Sequence, residues 1–128
     1  MGEMRVVDET RGTVISEEAE LRSSFLGRFR GLMLSGRKDI ILECRRESIL
    51  DSTIHMMYML YPIDVVWVNG QMEVVDLEKG VRPFNPLKPC TWRLHKPRSP
   101  ARYVIELGKA GLEEDVKVGD MVSFSVDE

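Results

Sequence analysis

The stretch Pro62–Val81, PIDVVWVNGQMEVVDLEKGV, decides the fold. Two β-branched runs flank Asn69-Gly70, a pair that accepts the positive φ of a type I′ turn, so the stretch predicts an antiparallel hairpin. On its first arm Ile63, Val65, Trp67 and Asn69 share one face, and Asp64, Val66 and Val68 share the other. Apolar side chains on both faces predict a central strand, covered above and below.

Outward from this hairpin the chain reads as further strands. Met4–Val7 and Thr13–Ser16 flank a turn at Gly12 and predict a second hairpin. Residues 39–44 (DIILEC) and 101–107 (ARYVIEL) predict single strands, and VKVGDMVSFSV closes the chain with a Gly-Asp turn and a last strand. The stretch SSFLGRFRGLMLSG predicts the one helix, over about residues 23–34. Ser23 or Ser24 caps it, Phe25 and Phe29 begin its apolar stripe, and Ser35-Gly36 stops it. Gly27 and Gly31 thin one side for close packing against a sheet. Between the strands, RPFNPLKPCTWRLHKPRSP carries prolines 83, 86, 89, 97 and 100, which exclude helix and interior strand and leave an extended connection. The expected class is α+β and β-rich: a curled antiparallel or mixed sheet, partly closed as a barrel, with the single helix packed on it.

A chain of 128 residues with 43% hydrophobic and 30% charged residues fits one soluble globular domain, residues 1–128, that needs no metal or disulfide staple. The amino terminus MGEMRVVDETRG has no apolar signal core, and no run is long enough to span a membrane, so a cytoplasmic location and no membrane partner are expected. Cys44 and Cys90 form no CxxC motif, and whether they pair is not set by the sequence. The net charge of −3 disfavours a dedicated nucleic-acid binder.

FRGLM (29–33), IHMMYMLYPIDVVWVNGQ (54–71), ARYVIELGKAG (101–111) and VGDMV (118–122) together resemble the prokaryotic family called domain of unknown function 192, over roughly residues 12 to 125. The central block resembles the archaeal version, His-x-x-x-Met-x-x-Pro-hydrophobic-Asp. Met57 and Tyr58 stand where the bacterial version has Lys and Asn, so a function built on that polar pair does not transfer. The resemblance implies a compact β-rich fold with one main helix. It implies no activity.

Asp64 is the most informative candidate. A carboxylate in an apolar strand needs a partner: an arginine such as Arg30 or Arg102, backbone amides, or a ligand. Glu106 raises the same question, and the two could form an acid/base pair. His55, Met57 and Met59 share a strand face and form a ligand set that suits soft Cu(I), although methionines beside aromatics more often fill a core. From Lys79 to Ile105 there is no acid, while Arg82, Lys88, Arg93, Lys96, Arg98 and Arg102 alternate with Phe84, Trp92, His95 and Tyr103. Such interleaving suits an anionic ligand or single-stranded nucleic acid. Cys90 and His95 could act as nucleophile and base. Residues 108–111 (GKAG) could offer amides to an anion. No serine-hydrolase, zinc-protease, P-loop or dinucleotide motif is present.

These features lead first to a small non-enzymatic binding module whose cleft takes a small or anionic ligand through Arg30, His55, Asp64, Trp92 and Arg102, with no cofactor. The alternatives are an enzyme using Asp64 or Glu106 with His55, and a single-stranded nucleic-acid or anion binder working through the basic loop 82–102.

Overall fold

The computed structural model describes residues 3–23, 37–54, 61–83, 85–91, 94–109, 111–112 and 115–126. Seven strands lie in one sheet: β1 (Glu3–Asp8), β2 (Thr13–Ser23), β3 (Asp39–Ser48), β4 (Ile63–Val68), β5 (Val74–Val81), β6 (Ala101–Leu107) and β7 (Val122–Val126). Their order is β5-β4-β6-β3-β2-β1-β7. The β2–β3 pair is parallel and the other neighbours are antiparallel, so the sheet is mixed.

The sheet curls until its two outer strands touch at one end. Glu73 bridges Met121. The Val74 N–H donates to the Asp120 carbonyl (2.9 Å), Gly119 N–H to Val74 (2.8 Å) and Val122 N–H to Met72 (2.8 Å). The result is a half-barrel, stitched along one rim.

The α+β expectation is corrected. Among the described residues there is no α-helix, and the single helical piece is a 3-10 turn, Pro89–Thr91. Ser23, expected to open a helix at about residues 23–34, instead ends β2 and pairs in parallel with Glu43. The remainder of that expected helix, 24–34, lies outside the described residues. The reason at Ser23 is that β2 has strand partners along its whole length, first β1 and then β3. Its backbone groups are satisfied across the sheet, and this overrides a local capping preference.

Alternation along the strands separates two apolar layers. Val6, Ile15, Ala19, Ile41, Val66, Val68, Ile105, Leu107 and Val122 fill the inside of the curl. Ile40, Leu42, Cys44, Ile63, Val65, Trp67 and Val104 form an outer layer, joined by Ile54 and Tyr61. β4 is therefore sandwiched, as its sequence requires: Val65, Val66, Trp67 and Val68 are all 0% exposed.

The hairpin turn departs from type I′. The Met72 N–H bonds the Asn69 carbonyl, Asn69 N–H bonds Glu73, and the positive φ falls on Met72 at 65°. The Asn69 Oδ1 accepts the N–H groups of both Gln71 (3.0 Å) and Glu73 (2.9 Å), holding a longer loop. The Gly70 N–H donates to Glu47 Oε1 at 2.9 Å; a Cβ at Gly70 would stand 2.5 Å from that oxygen, a clash that the exposed Glu47 side chain relieves by turning away.

Where the stitched rim meets β1, Asp8 and Asp120 are both buried. Asp120 Oδ2 accepts Arg11 Nε (2.9 Å) and Lys117 N–H (3.0 Å), and Asp8 Oδ1 accepts Arg11 N–H. Asp8 Oδ2 has no donor among the described residues. Burial first, and then the hydrogen bond to Asp120, raise the Asp8 carboxyl to about 6. Burial pushes Asp120 up, but its bonds from Asp8, Lys117 and Arg11 outweigh it and hold Asp120 at about 2. A proton on Asp8 therefore supplies the hydrogen bond that its Oδ2 otherwise lacks.

Candidate functional site

β4 begins at the stacked end of the sheet with Ile63 and Asp64. Ile63 turns into the outer layer, so Asp64 turns the opposite way, opposite Leu107 of β6. There its two oxygens are consumed by backbone: Oδ1 accepts Gly80 N–H and Oδ2 accepts Leu112 N–H, each at 2.8 Å. Asp64 thus ties the end of β5 to the turn after β6. Asp39, at the start of β3, grips the other end of that turn by accepting Lys109 N–H on Oδ1 (2.8 Å), while Ser16 Oγ donates to its Oδ2 (2.6 Å). Gly108 N–H donates to the Lys38 carbonyl. The amides of Gly108, Lys109 and Leu112 are therefore used internally and are not offered to an anion. Replacing Asp64 by Ala is expected to cost about 2–3 kcal/mol in denaturant unfolding, because two amides lose a charged acceptor. Hydrogen exchange at Gly80 and Leu112 should accelerate first. Unchanged exchange at both would count against this role.

Arg37 covers the same turn. Its guanidinium lies 4.5 Å from the centre of the Tyr61 ring and donates from Nη1 to the Gly108 carbonyl at 3.1 Å. Stacking and one hydrogen bond fix the plane and leave the remaining N–H groups at the surface. Arg37, Asp64, Gly80, Gly108, Lys109 and Gly111 line a shallow cavity of about 230 Å³.

A second cavity, about 260 Å³, shares Gly80 as a wall and is lined by Glu78, Lys79, Arg82, Cys90, Thr91 and His95. His95 is held by main-chain bonds in both directions with Ile54 (2.9 Å each). Its Nδ1 lies 2.9 Å from Glu78 Oε2, with the imidazole side chain 5% exposed. Cys90 sits in the 3-10 turn, which Thr91 locks: its Oγ1 accepts Asn85 N–H and bonds the Lys88 carbonyl, both at 2.8 Å. Cys44 and Cys90 are not joined by a disulfide: Cys44 is buried, with its Sγ donating to the Asp51 carbonyl at 3.5 Å, and Cys90 is exposed.

Glu106 lies on the outer face between Ile40 of β3 and Val65 of β4. No hydrogen bond reaches it among the described residues, and burial raises its carboxyl to about 7, against a smaller opposing pull from Arg22. Glu78 also pairs with Val65, from the other side. Glu106 and Glu78 therefore share a face, two strand spacings or about 10 Å apart. Asp64 points to the opposite face, so the structure does not bring Asp64 and Glu106 together.

Of the five residues expected to contact a ligand, Asp64 lies at the first cavity. Arg102 stands at the far end of β6, with Nη2 on Glu43 Oε2 at 3.1 Å and Nε buried without a partner among the described residues. Arg30, His55 and Trp92 lie outside the described residues, as do Met57 and Met59 of the soft-metal set. Among the described residues no group of three His, Cys, Asp or Glu side chains is placed to hold a metal ion. Within the basic loop, Arg102 is paired and Arg98 lies 3.9 Å from Asp76, while Arg82, Lys88 and Lys96 are exposed. Residues that sequence reasoning missed are Glu78 and the side chain of Lys109. Glu78 sits 17 residues from His95, and only the strand register pairs them.

Comparison with known proteins matches the chain, over residues 6–124, to the family model DUF192, described as "Uncharacterized ACR". A UPF0127 protein of Thermococcus gammatolerans is 39% identical over 127 residues, 96% of this chain and 76% of the relative. A UPF0127 protein of Pyrococcus furiosus is 33% identical, covering 94% of this chain and 97% of its own length. Among solved structures, a Sinorhizobium meliloti protein described as a candidate transcription regulator superposes with TM-score 0.75 at 18% identity, covering 95% of this chain and 92% of that one. A Novosphingobium aromaticivorans protein of unknown function gives 0.70 at 17% identity, covering 94% and 83%. At such identities the likeness carries the fold alone.

Proposed function

This chain belongs to the DUF192 family, and from that premise we propose that it is a small binding module whose cleft, formed by the two cavities that meet at Gly80, takes a small anionic ligand. The observation that carries this is the state of the charges around Gly80. Arg37, Lys79, Arg82 and Lys109 line the two cavities, and none of them forms an ion pair among the described residues. The carboxylates in the same walls are already engaged, Asp64 by two amides and Glu78 by His95. The uncompensated charge is positive, although the whole chain is at −3. Local charge governs what a cleft attracts.

Asp64 acts in this reading by holding Gly80 and the 108–112 turn in place. Two cysteines kept as thiols suit a reducing compartment, in keeping with a cytoplasmic protein. No helix among the described residues is long and apolar enough to cross a membrane.

Titration with inorganic pyrophosphate, followed by calorimetry, tests the proposal. Binding is expected to weaken steeply with salt. It should fall about tenfold or more in Lys79→Gln/Arg82→Gln or in Arg37→Gln/Lys109→Gln. No binding at low salt, or binding indifferent to both double variants, would reject the cleft. Tighter binding of single-stranded RNA or DNA, lost on substituting Lys88 and Lys96, would move the function to the basic loop.

A further inference from the structure

We propose that Cys90 is the nucleophile of a thiol site, with His95 as its proton acceptor and Glu78 as the group that orients His95, and that this site accepts the acyl group of a small anionic thioester. The inference rests on the anionic-cleft reading for the charge of its substrate, and on separate observations for its chemistry.

The first observation is the imidazole. His95 is 95% buried on its side chain, and its position is fixed at three points: two main-chain bonds to Ile54 and the Nδ1 contact with Glu78 at 2.9 Å. With Nδ1 bound to a carboxylate, the ring presents Nε2 as its remaining titratable atom. Nε2 has no hydrogen bond among the described residues, and His95 is part of the cavity wall. A buried imidazole held from behind by a carboxylate, with its other nitrogen unspent at a cavity, is the arrangement general-base chemistry requires.

The second observation is the thiol. Of the two cysteines, Cys44 is buried in the outer layer, whereas Cys90 is exposed and lines the same 260 Å³ space as His95. The turn that carries it is braced by hydrogen bonds among Asn85, Lys88 and Thr91, so Cys90 stands on a fixed support despite the proline-rich loop around it. Cys90, His95 and Glu78 do not form a metal-binding group. The thiol and the imidazole thus belong to the walls of one cavity, which is where the reacting groups of an acyl transfer must lie.

The third observation is charge. Lys79 and Arg82 line this cavity and lack ion pairs among the described residues, so the electrophile they draw in is anionic. A carbonyl electrophile fits better than a disulfide, because acyl exchange needs a proton acceptor and donor, which disulfide exchange between thiolates does not. The step balances without redox change. As the Cys90 sulfur bonds the carbonyl carbon, the thiol proton passes to His95 Nε2. The bond from carbonyl carbon to the departing sulfur then breaks, and Nε2 returns the proton to the released thiolate. The products are S-acyl-Cys90 and one free thiol.

The test follows Cys90 in the full chain by site-resolved mass spectrometry at pH 7, with buried Cys44 as the internal reference. Cys90 is expected to react with neutral iodoacetamide about tenfold faster than free cysteine, and to lose that gain in both His95→Gln and Glu78→Gln. Iodoacetate, which is anionic, should show a further preference over iodoacetamide, and Lys79→Gln/Arg82→Gln should lower the iodoacetate rate by more than it lowers the iodoacetamide rate. The acetyl thioester of mercaptosuccinate should add one acetyl group to Cys90, released by hydroxylamine and absent in Cys90→Ser. A Cys90 that reacts like free cysteine, indifferent to both the His95 and Glu78 variants, overturns the thiol site whatever the anion does. Activation without any preference for iodoacetate overturns the anionic cleft and leaves the thiol standing alone. Activation without acyl transfer overturns the thioester assignment.

Discussion

Trp67→Ala is expected to destabilise the protein by about 3–5 kcal/mol, the range for removing a large buried aromatic. Trp67 is 0% exposed and sits in the outer layer with Ile40, Leu42, Ile63, Val65 and Val104. Its indole Nε1 donates to the Ser52 carbonyl at 2.8 Å, pinning the segment after β3 onto the sheet. Alanine would open a cavity and leave that buried carbonyl without its donor. Domains of this size are stable by only about 5–15 kcal/mol, so the loss is a large share of the whole. Trp67→Phe separates the two effects: it keeps most of the ring and should cost about 1–2 kcal/mol, chiefly the orphaned carbonyl. Urea unfolding monitored by circular dichroism measures both. An alanine variant within 1 kcal/mol of the parent would refute the role given to Trp67.

The second large effect is on pH. Glu106 titrates at about 7 in the folded chain against an ordinary 4.5, because burial between Ile40 and Val65 penalises its charge. A raised carboxyl favours the protonated folded state. Its stabilising contribution is complete below pH 4.5 and is lost as pH rises through about 7. Asp8, raised from 3.8 to about 6, acts in the same direction over a lower window. Asp120, held near 2, opposes them only in acid, where its contribution fades as pH falls below 3.8. Stability is therefore expected to decline from about pH 4.5 to pH 7, by on the order of 2–3 kcal/mol from Glu106. Glu106→Gln should flatten that decline and unfold at higher denaturant than the parent at pH 8. Asp8→Asn, which retains an acceptor for Arg11 N–H and presents a donor toward Asp120, should remove the lower part of the slope. A parent protein whose midpoint is constant from pH 4.5 to 8 would contradict both assignments.

Strands were legible where period-2 alternation met burial on one or both faces. Residues 101–107 were read to the residue as β6, and Val65 to Val68 were recognised as a strand covered on both sides. Other strand ends were not legible. β2 runs to Ser23 and β3 to Ser48 because their partners extend that far, and a partner is not a local property of the sequence. Asn69-Gly70 marked the hairpin correctly, but not its turn type: Asn69 Oδ1 holds the Gln71 and Glu73 amides and the positive φ falls on Met72, so the loop is longer than a two-residue turn. Asp64 was legible as a carboxylate in need of partners. That the partners are Gly80 and Leu112 depends on which strands flank β4. Glu78 and His95 meet for the same kind of reason, and no spacing rule joins a residue in β5 to one in a proline-rich loop.

The pairing of β1 with β7 has a consequence for how the chain folds. Met4 lies beside Val126, so the ladder at that edge joins the two extremities of the described chain. The stitched rim then joins Met72 and Val74 to residues 119–122. The β1–β7 ladder cannot form until nearly the entire polypeptide has been drawn together, and the rim must first close the chain between residues 72 and 122; in both cases the loop entropy comes before its reward. The β4–β5 hairpin, with its short connection, can assemble early. Folding is thus expected to be slow for a chain of this length. Unfolding should begin where the ends part, with the amides of β7 exchanging with solvent before those of β4.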